Sequence, residues 1–165
     1  MRVELAAAAA GLVLAGCGST AEPVSSPSPA AVKSPAVMTK SEAAKRYMEL
    51  TCPSNAASAP LTAALATYRN DSALGTPIPD DVRAAAKTYG EAAAAYAQGL
   101  KDPANVWPQD VAGMISEWAA QTYTQAAWAD RMAAPNSTWE MTPRTSGDMP
   151  ARIRLNLGLP PSGGC

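Results

Sequence analysis

The segment DDVRAAAKTYGEAAAAYAQGL, Asp80 to Leu100, carries the clearest structural signal in the chain. Its apolar residues recur at helical steps and fall on one stripe, made of Val82, Ala85, Ala86, Tyr89, Ala93, Tyr96, Ala97 and Leu100. Two aspartates at the start complement the helix macrodipole. We therefore predict a helix from about Asp80 or Asp81 to Leu100, with a narrow alanine face that lets neighbouring helices approach closely.

A second helix is predicted before this segment. Thr39 and Glu42 have the spacing of a capping box, and apolar residues continue at helical steps from Ala44 to Tyr68. Pro53 interrupts the pattern, so the sequence leaves open one kinked helix or two helices that end near Asn70. The following segment, NDSALGTPIPD, has the composition of a loop.

Two more helices are predicted after Leu100. A stripe from Val111 to Ala133 ends before Pro135 and includes Met114, Ile115, Trp118, Thr122, Ala126, Ala129 and Met132. A short helix follows, with Asp148 as N-cap, Pro150 in its first turn and Gly158 as its C-terminal stop. No stretch shows sustained alternation typical of strands. The sequence therefore predicts an all-α fold, a small bundle of three to four helices over residues 39–165, after a disordered tether.

The N-terminal segment has the features of an export signal. An uncharged run from Leu5 to Ala15 is too short to span a bilayer and ends in Leu14-Ala15-Gly16-Cys17. This resembles the lipobox of bacterial lipoproteins, although Glu4 is unusual in a segment that is normally basic. The resemblance implies that residues 1–16 are a signal peptide, that cleavage follows Gly16 and that Cys17 carries diacylglycerol. An ordinary secretory signal with a chance cysteine is the alternative.

Residues 17–38 are predicted to form the lipidated cysteine and a linker. Repeated Ser-Pro and Ala-Pro steps and few large apolar residues disfavour packed structure there. The segments RYMELTCPSNAA and LNLGLPPSGGC, together with the alanine-rich middle, further resemble uncharacterised lipoproteins of high-GC Gram-positive bacteria and their phages. This second resemblance implies a location and a shape, and no chemistry.

The two remaining cysteines, Cys52 and Cys165, are expected to pair because an exported chain reaches an oxidising compartment. Their Cα atoms should then lie about 4.4–6.8 Å apart, with the C-terminal tail against the first helix near Pro53. The alternative is two free thiols with one of them catalytic. Cys52 would lack an activating histidine, however, since the sequence contains no His.

Composition argues against several classes of function. A formal net charge of −1, from 13 Lys+Arg and 14 Asp+Glu, gives no basis for nucleic-acid binding. No catalytic residue, metal ligand or cofactor site is indicated, and we find none of the common catalytic motifs. Four carboxylates are candidates for a glycosidase-like pair, although solvent-facing positions are the usual reading: Glu91, Asp110, Glu117 and Asp130.

The four tryptophans fall into two groups. Trp107 and Trp118 are expected in the core, whereas Trp128 lies off the helical stripe and Trp139 lies in a loop. Trp128 and Trp139 therefore form a possible contact surface, because exposed aromatic residues often anchor interfaces.

Taken together, these features favour an extracytoplasmic lipoprotein, anchored in the cell membrane through lipid on Cys17. Its monomeric helical domain would act as a binding or accessory module for an envelope protein or wall partner. The alternatives are an envelope enzyme acting on cell-wall material and a phage-encoded lipoprotein that interferes with superinfection. An enzyme would need a cleft lined by at least two carboxylates with perturbed pKa values.

Overall fold

A computed structural model of the chain describes residues 35–68, 74–143, 145 and 147–165. Four helices make up the fold: α1 (Lys40–Tyr68), α2 (Asp80–Lys101), α3 (Gln109–Ala133) and α4 (Met149–Asn156). The described residues contain no strand, only an isolated bridge between Pro77 and Thr138. The predicted all-α bundle is confirmed. The predicted signal peptide, Cys17 and residues 18–34 of the predicted linker lie outside the described residues.

The capping box at the start of α1 forms as predicted. The Glu42 carboxylate accepts hydrogen bonds from the backbone N–H and the hydroxyl of Thr39, at 2.8 and 2.7 Å. Thr39 Oγ1 in turn accepts one from the Glu42 backbone N–H at 3.3 Å. α1 then continues through Pro53 and Pro60, both on its exposed side, so the structure has one helix here rather than two.

The residue before Thr39 also contacts the helical domain. Met38, assigned to the linker, is half-buried against the core, and its backbone N–H donates to Val106 O at 2.8 Å. A hydrogen bond to the α2–α3 connection could not be read from the composition of the linker.

α2 is the central helix and packs against both α1 and α3. Its predicted stripe is the buried one, with Val82, Ala86, Ala93 and Ala97 almost fully enclosed. Gly90 lies where α2 and α3 approach closely, since a Cβ there would lie 3.3 Å from Ala129 Cβ. The alanine-rich face thus allows the close approach that the sequence predicted.

Two apolar clusters form the core. The first lies at the α4 end of the bundle, and among its largest members are Tyr47, Tyr96, Leu100, Trp107, Ile115 and Ile153. The second lies at the other end and includes Leu61, Ile78, Val82, Trp128 and Met132. α3 contributes to both clusters, which explains why its apolar stripe is long.

α4 closes one end of the bundle. Pro150 lies in its first turn, and Gly158 follows it with φ of 76°, a left-handed conformation that suits glycine at a helix end. Asp148 occupies the predicted N-cap position, but its side chain makes no cap hydrogen bond. The reason is that its backbone is already helical (φ −93°, ψ −13°), and its carboxylate instead lies 4.0 Å from Arg152. The N-cap position was therefore predicted correctly, and the Asp148 side chain does not hydrogen-bond to the helix end.

The Cys52–Cys165 disulfide is present, with the two Cα atoms 5.2 Å apart. It bonds the C-terminal tail to the middle of α1, as the sequence predicted. Arg154 of α4 also holds the tail, because its Nε donates to Pro160 O at 2.6 Å and its Nη2 donates to Gly163 O.

Candidate functional site

The contact surface predicted from Trp128 and Trp139 does not form. Trp128 is only 4% exposed and belongs to the second apolar cluster. Ile78, from the loop before α2, is part of that cluster and extends the core beyond the simple α3 stripe. Trp139 is half-buried against the same cluster, because its backbone N–H donates to Thr76 O at 2.9 Å. Trp128 is therefore not an exposed anchor, and that part of the prediction was wrong, whereas Trp139 keeps part of its surface exposed.

The other two tryptophans pack as expected. Trp107 is buried, and its indole N–H donates to Leu100 O at 2.9 Å. It reaches the core from the connection before α3 rather than from an extension of that helix. Trp118 is half-buried against the first cluster.

The four candidate carboxylates do not form a pair. Glu91, Asp110, Glu117 and Asp130 are all exposed, and none lines a cavity described below. Within the described ranges, no group of three or more His, Cys, Asp or Glu residues could hold a metal ion.

The structure instead presents a groove that the sequence did not predict as a site. Two adjoining cavities of about 410 and 130 Å³ share Asn55, Tyr96 and Trp118. We call this continuous cleft the central groove. Its walls come from α1 and α3 and its floor from α2, while Pro150 and Arg154 of α4 and the tail segment 161–163 close one end. The larger cavity falls within the ~300–1,000 Å³ typical of small-molecule sites.

The central groove collects the buried polar side chains of the domain. In the described part of the chain, four polar or charged residues are buried, and each of them lines the groove: Thr51, Ser54, Thr122 and Arg154. Buried polar groups are costly unless they are bonded or serve a ligand. Thr51, Thr122 and Arg154 are hydrogen-bonded within the protein, and all four residues converge on this one cleft.

A hydrogen-bond network centres on Tyr96. Its hydroxyl accepts from Thr51 Oγ1 at 3.2 Å and from the Trp118 indole N–H at 3.1 Å. Thr122 is satisfied locally, since its hydroxyl donates to Trp118 O at 2.8 Å. Further along the groove, the Tyr89 hydroxyl donates to Gln125 Oε1 at 2.7 Å. These bonds hold the aromatic walls in place.

Tyr47 lies beside this network without completing it. Its ring packs edge-on against Tyr96 with centroids 6.4 Å apart, and the side chain is fully buried. Its hydroxyl makes no hydrogen bond of good geometry, although the hydroxyls of Tyr96 and Thr51 lie near enough to affect its pKa. Burial raises the pKa of Tyr47 far above its ordinary value, and burial also raises the pKa of Tyr96. Both phenols therefore keep their protons at neutral pH.

Among the described residues, Arg154 is the only charged side chain that lines the central groove. It is 5% exposed, and no carboxylate in the described residues lies within ion-pair distance of it. Its guanidinium nitrogens instead bond to the carbonyls of Pro160 and Gly163 and to Met48 Sδ, the last at 3.1 Å. Its positive charge acts to lower the pKa of Tyr47 and of Tyr96, which partly opposes the effect of burial.

The sequence held a usable signal for this groove. Tyr47, Thr51, Ser54 and Ser58 recur on one side of α1 at steps of four and three, and Trp118, Thr122 and Gln125 do the same on α3. A helical stripe that turns polar where it should be buried indicates either a cavity or a polar interface. Of these residues, only Trp118 and Thr122 enter the sequence prediction above, as members of the α3 stripe.

None of the helices in the described ranges is long and apolar enough to cross a membrane. Comparisons with protein-family models, with curated proteins and with solved structures found no match to this chain.

Proposed function

We propose that this chain is a lipid-anchored lipoprotein on the outer face of the cell membrane, and that its helical domain is a binding module. The central groove would be its binding site for a small molecule. One observation carries the binding proposal: all four buried polar residues described above line the same cleft, beside a buried tyrosine hydroxyl that has no partner.

The proposed location has separate support. The lipobox at Leu14–Cys17 predicts lipidation of Cys17. The Cys52–Cys165 disulfide fits an oxidising compartment outside the cytoplasm. Two acyl chains together anchor a protein stably, whereas a single chain is marginal.

The groove is suited to binding more than to acid–base catalysis. It offers phenol, indole and guanidinium donors, and no Asp or Glu lines either of its two cavities. The proposed envelope enzyme would need two carboxylates facing a cleft, and the four candidate carboxylates are exposed elsewhere. A binding role therefore uses the groups that are present.

Photo-crosslinking in intact cells tests the binding proposal. A benzophenone amino acid would replace Asn55, an exposed residue at the groove rim, in the full-length chain. The matched control places it at Lys87, an exposed residue of α2 that lines neither cavity. Intact-mass analysis should show a small-molecule adduct for the Asn55 variant only. Equal adducts at both positions, or none at either, would contradict binding in the groove.

Cell fractionation tests the anchor. Replacing Cys17 by Ser should release the protein from membranes, and diacylglycerol should be found on the wild type only. Recovery of wild-type protein with residues Met1 to Gly16 still attached would overturn the lipoprotein proposal.

A further inference from the structure

We infer that the ligand of the central groove is a small monoanion, a carboxylate borne on an apolar ring. Its carboxylate would lie against Arg154 and the Tyr47 and Tyr96 hydroxyls. This inference rests on the proposed function, since it names the chemical class of molecule that the groove holds.

The first step is the uncompensated charge. Arg154 is almost fully buried and its side chain bonds only to neutral acceptors, and no ion pair joins it to another described residue. A guanidinium has five N–H donors, and the three bonds to Pro160, Gly163 and Met48 leave others free. A buried charge is stabilised most by a partner of opposite charge. An anion in the groove would supply that partner.

The second step is the excess of donors. Tyr47 has a buried O–H with no acceptor. The Tyr96 oxygen already accepts two hydrogen bonds, which leaves its own proton to donate. Tyr47, Tyr96 and Arg154 all line one cavity, and a carboxylate, which only accepts hydrogen bonds when ionised, complements the donors that these three side chains carry.

The third step is the shape and polarity of the remaining walls. The rings of Tyr47, Tyr96 and Trp118, together with Pro150 and Pro161, surround the larger cavity. Flat and apolar walls of this kind favour a ring, which gains from stacking and edge contacts. Since Arg154 is the only cationic side chain on these walls, a single negative charge on the ligand matches that one cation, whereas a dianion would have no second cationic side chain to pair with.

Titration of the purified full-length protein with benzoate and with benzamide tests this inference. The two probes share a ring and nearly the same shape, but only benzoate carries a charge. We expect benzoate to shift the NMR signals of Arg154 Nε–H and of the Trp118 indole N–H. Benzamide should bind at least about tenfold more weakly, because it loses a charge-assisted hydrogen bond.

Tyr47→Phe provides a variant that should fold normally, because it removes a hydroxyl that has no partner. It should weaken benzoate binding several-fold while leaving the midpoint of urea unfolding unchanged or higher. Tyr123→Phe is the matched control, since Tyr123 is exposed on α3 and lines neither cavity. A purely structural role for Tyr47 would alter stability without altering the preference for benzoate.

The outcomes separate this inference from the proposed function. If benzamide binds as tightly as benzoate, the groove is a binding site but its ligand need not be an anion, and the inference is wrong. If benzoate shifts no groove signal at about 10 mM, where a ligand of ~1 mM Kd would be mostly bound, the inference is also wrong. In that case, the photo-crosslinking result decides independently whether the groove binds any small molecule.

Discussion

Removal of the Cys52–Cys165 disulfide should strongly lower the free energy of unfolding. The bridge joins residues 113 apart in sequence and so restricts most of the folded domain in the unfolded state. In the chain-entropy model, a closed loop of this length contributes about 5 kcal/mol at 25 °C. Because small domains are stable by only about 5–15 kcal/mol in total, the loss should bring this one close to its unfolding threshold.

The assay is urea denaturation of Cys52→Ser, Cys165→Ser and the double variant. All three would carry Cys17→Ser, so that neither lipid nor a third thiol affects the comparison. Each single variant should lose about 2–5 kcal/mol relative to the bridged parent, the range typical for a small secreted domain. The double variant should match the single ones, because each single change already breaks the only bond that the two residues share.

Two results would refute this reasoning. A loss below about 1 kcal/mol would mean that the bonds of Arg154 to the tail already restrict the chain, or that the unfolded state stays compact. A double variant much less stable than either single one would mean that the cysteines contribute through separate contacts. The m value, which is the dependence of the unfolding free energy on urea concentration, should also increase when the bridge is removed. The reason is that an unfolded chain without the disulfide exposes more surface.

Two further predictions concern the helices. Gly90→Ala should lower the free energy of unfolding by about 1 kcal/mol, because overpacking at the α2–α3 contact exceeds the gain in helix propensity. Gly113→Ala, on the open face of α3, should instead raise the free energy of unfolding by ~0.5–1 kcal/mol. Equal stabilisation by both variants in urea titrations would contradict the close contact at Gly90. Thr39→Ala should cost about 1 kcal/mol at neutral pH. Hydrogen bonds from Thr39 lower the pKa of the Glu42 carboxyl. The stability that these bonds contribute is therefore present above the ordinary pKa of Glu42 and is lost as the pH falls through the lowered value. If Thr39→Ala lost the same amount of stability at neutral and at acidic pH, this pH dependence would be contradicted.

Local patterns predicted the helices well because their causes are local. The capping box at Thr39, the stripe of α2 and the stop before Pro135 each depend on residues within a few positions of one another. Trp128 was misplaced because its burial depends on Ile78, fifty residues away on a different element. A single helical stripe shows which face is apolar, but it does not show how far neighbouring segments extend the core around that face.

The central groove could not be predicted from local sequence patterns, because it depends on contacts between residues that are distant in sequence. Its lining forms only when α1, α2, α3 and the C-terminal part of the chain come together. Thr51 and Trp118 are ordinary members of separate helical stripes, and they become neighbours only because both helices pack on α2 around Tyr96. The tail completes the cavity, and Cys165, itself part of the lining, bonds it to α1. The disulfide therefore acts on both stability and the shape of the site. Loss of the bridge should weaken benzoate binding and stability together, whereas Tyr47→Phe should weaken binding alone, and this contrast separates a ligand site from a structural void.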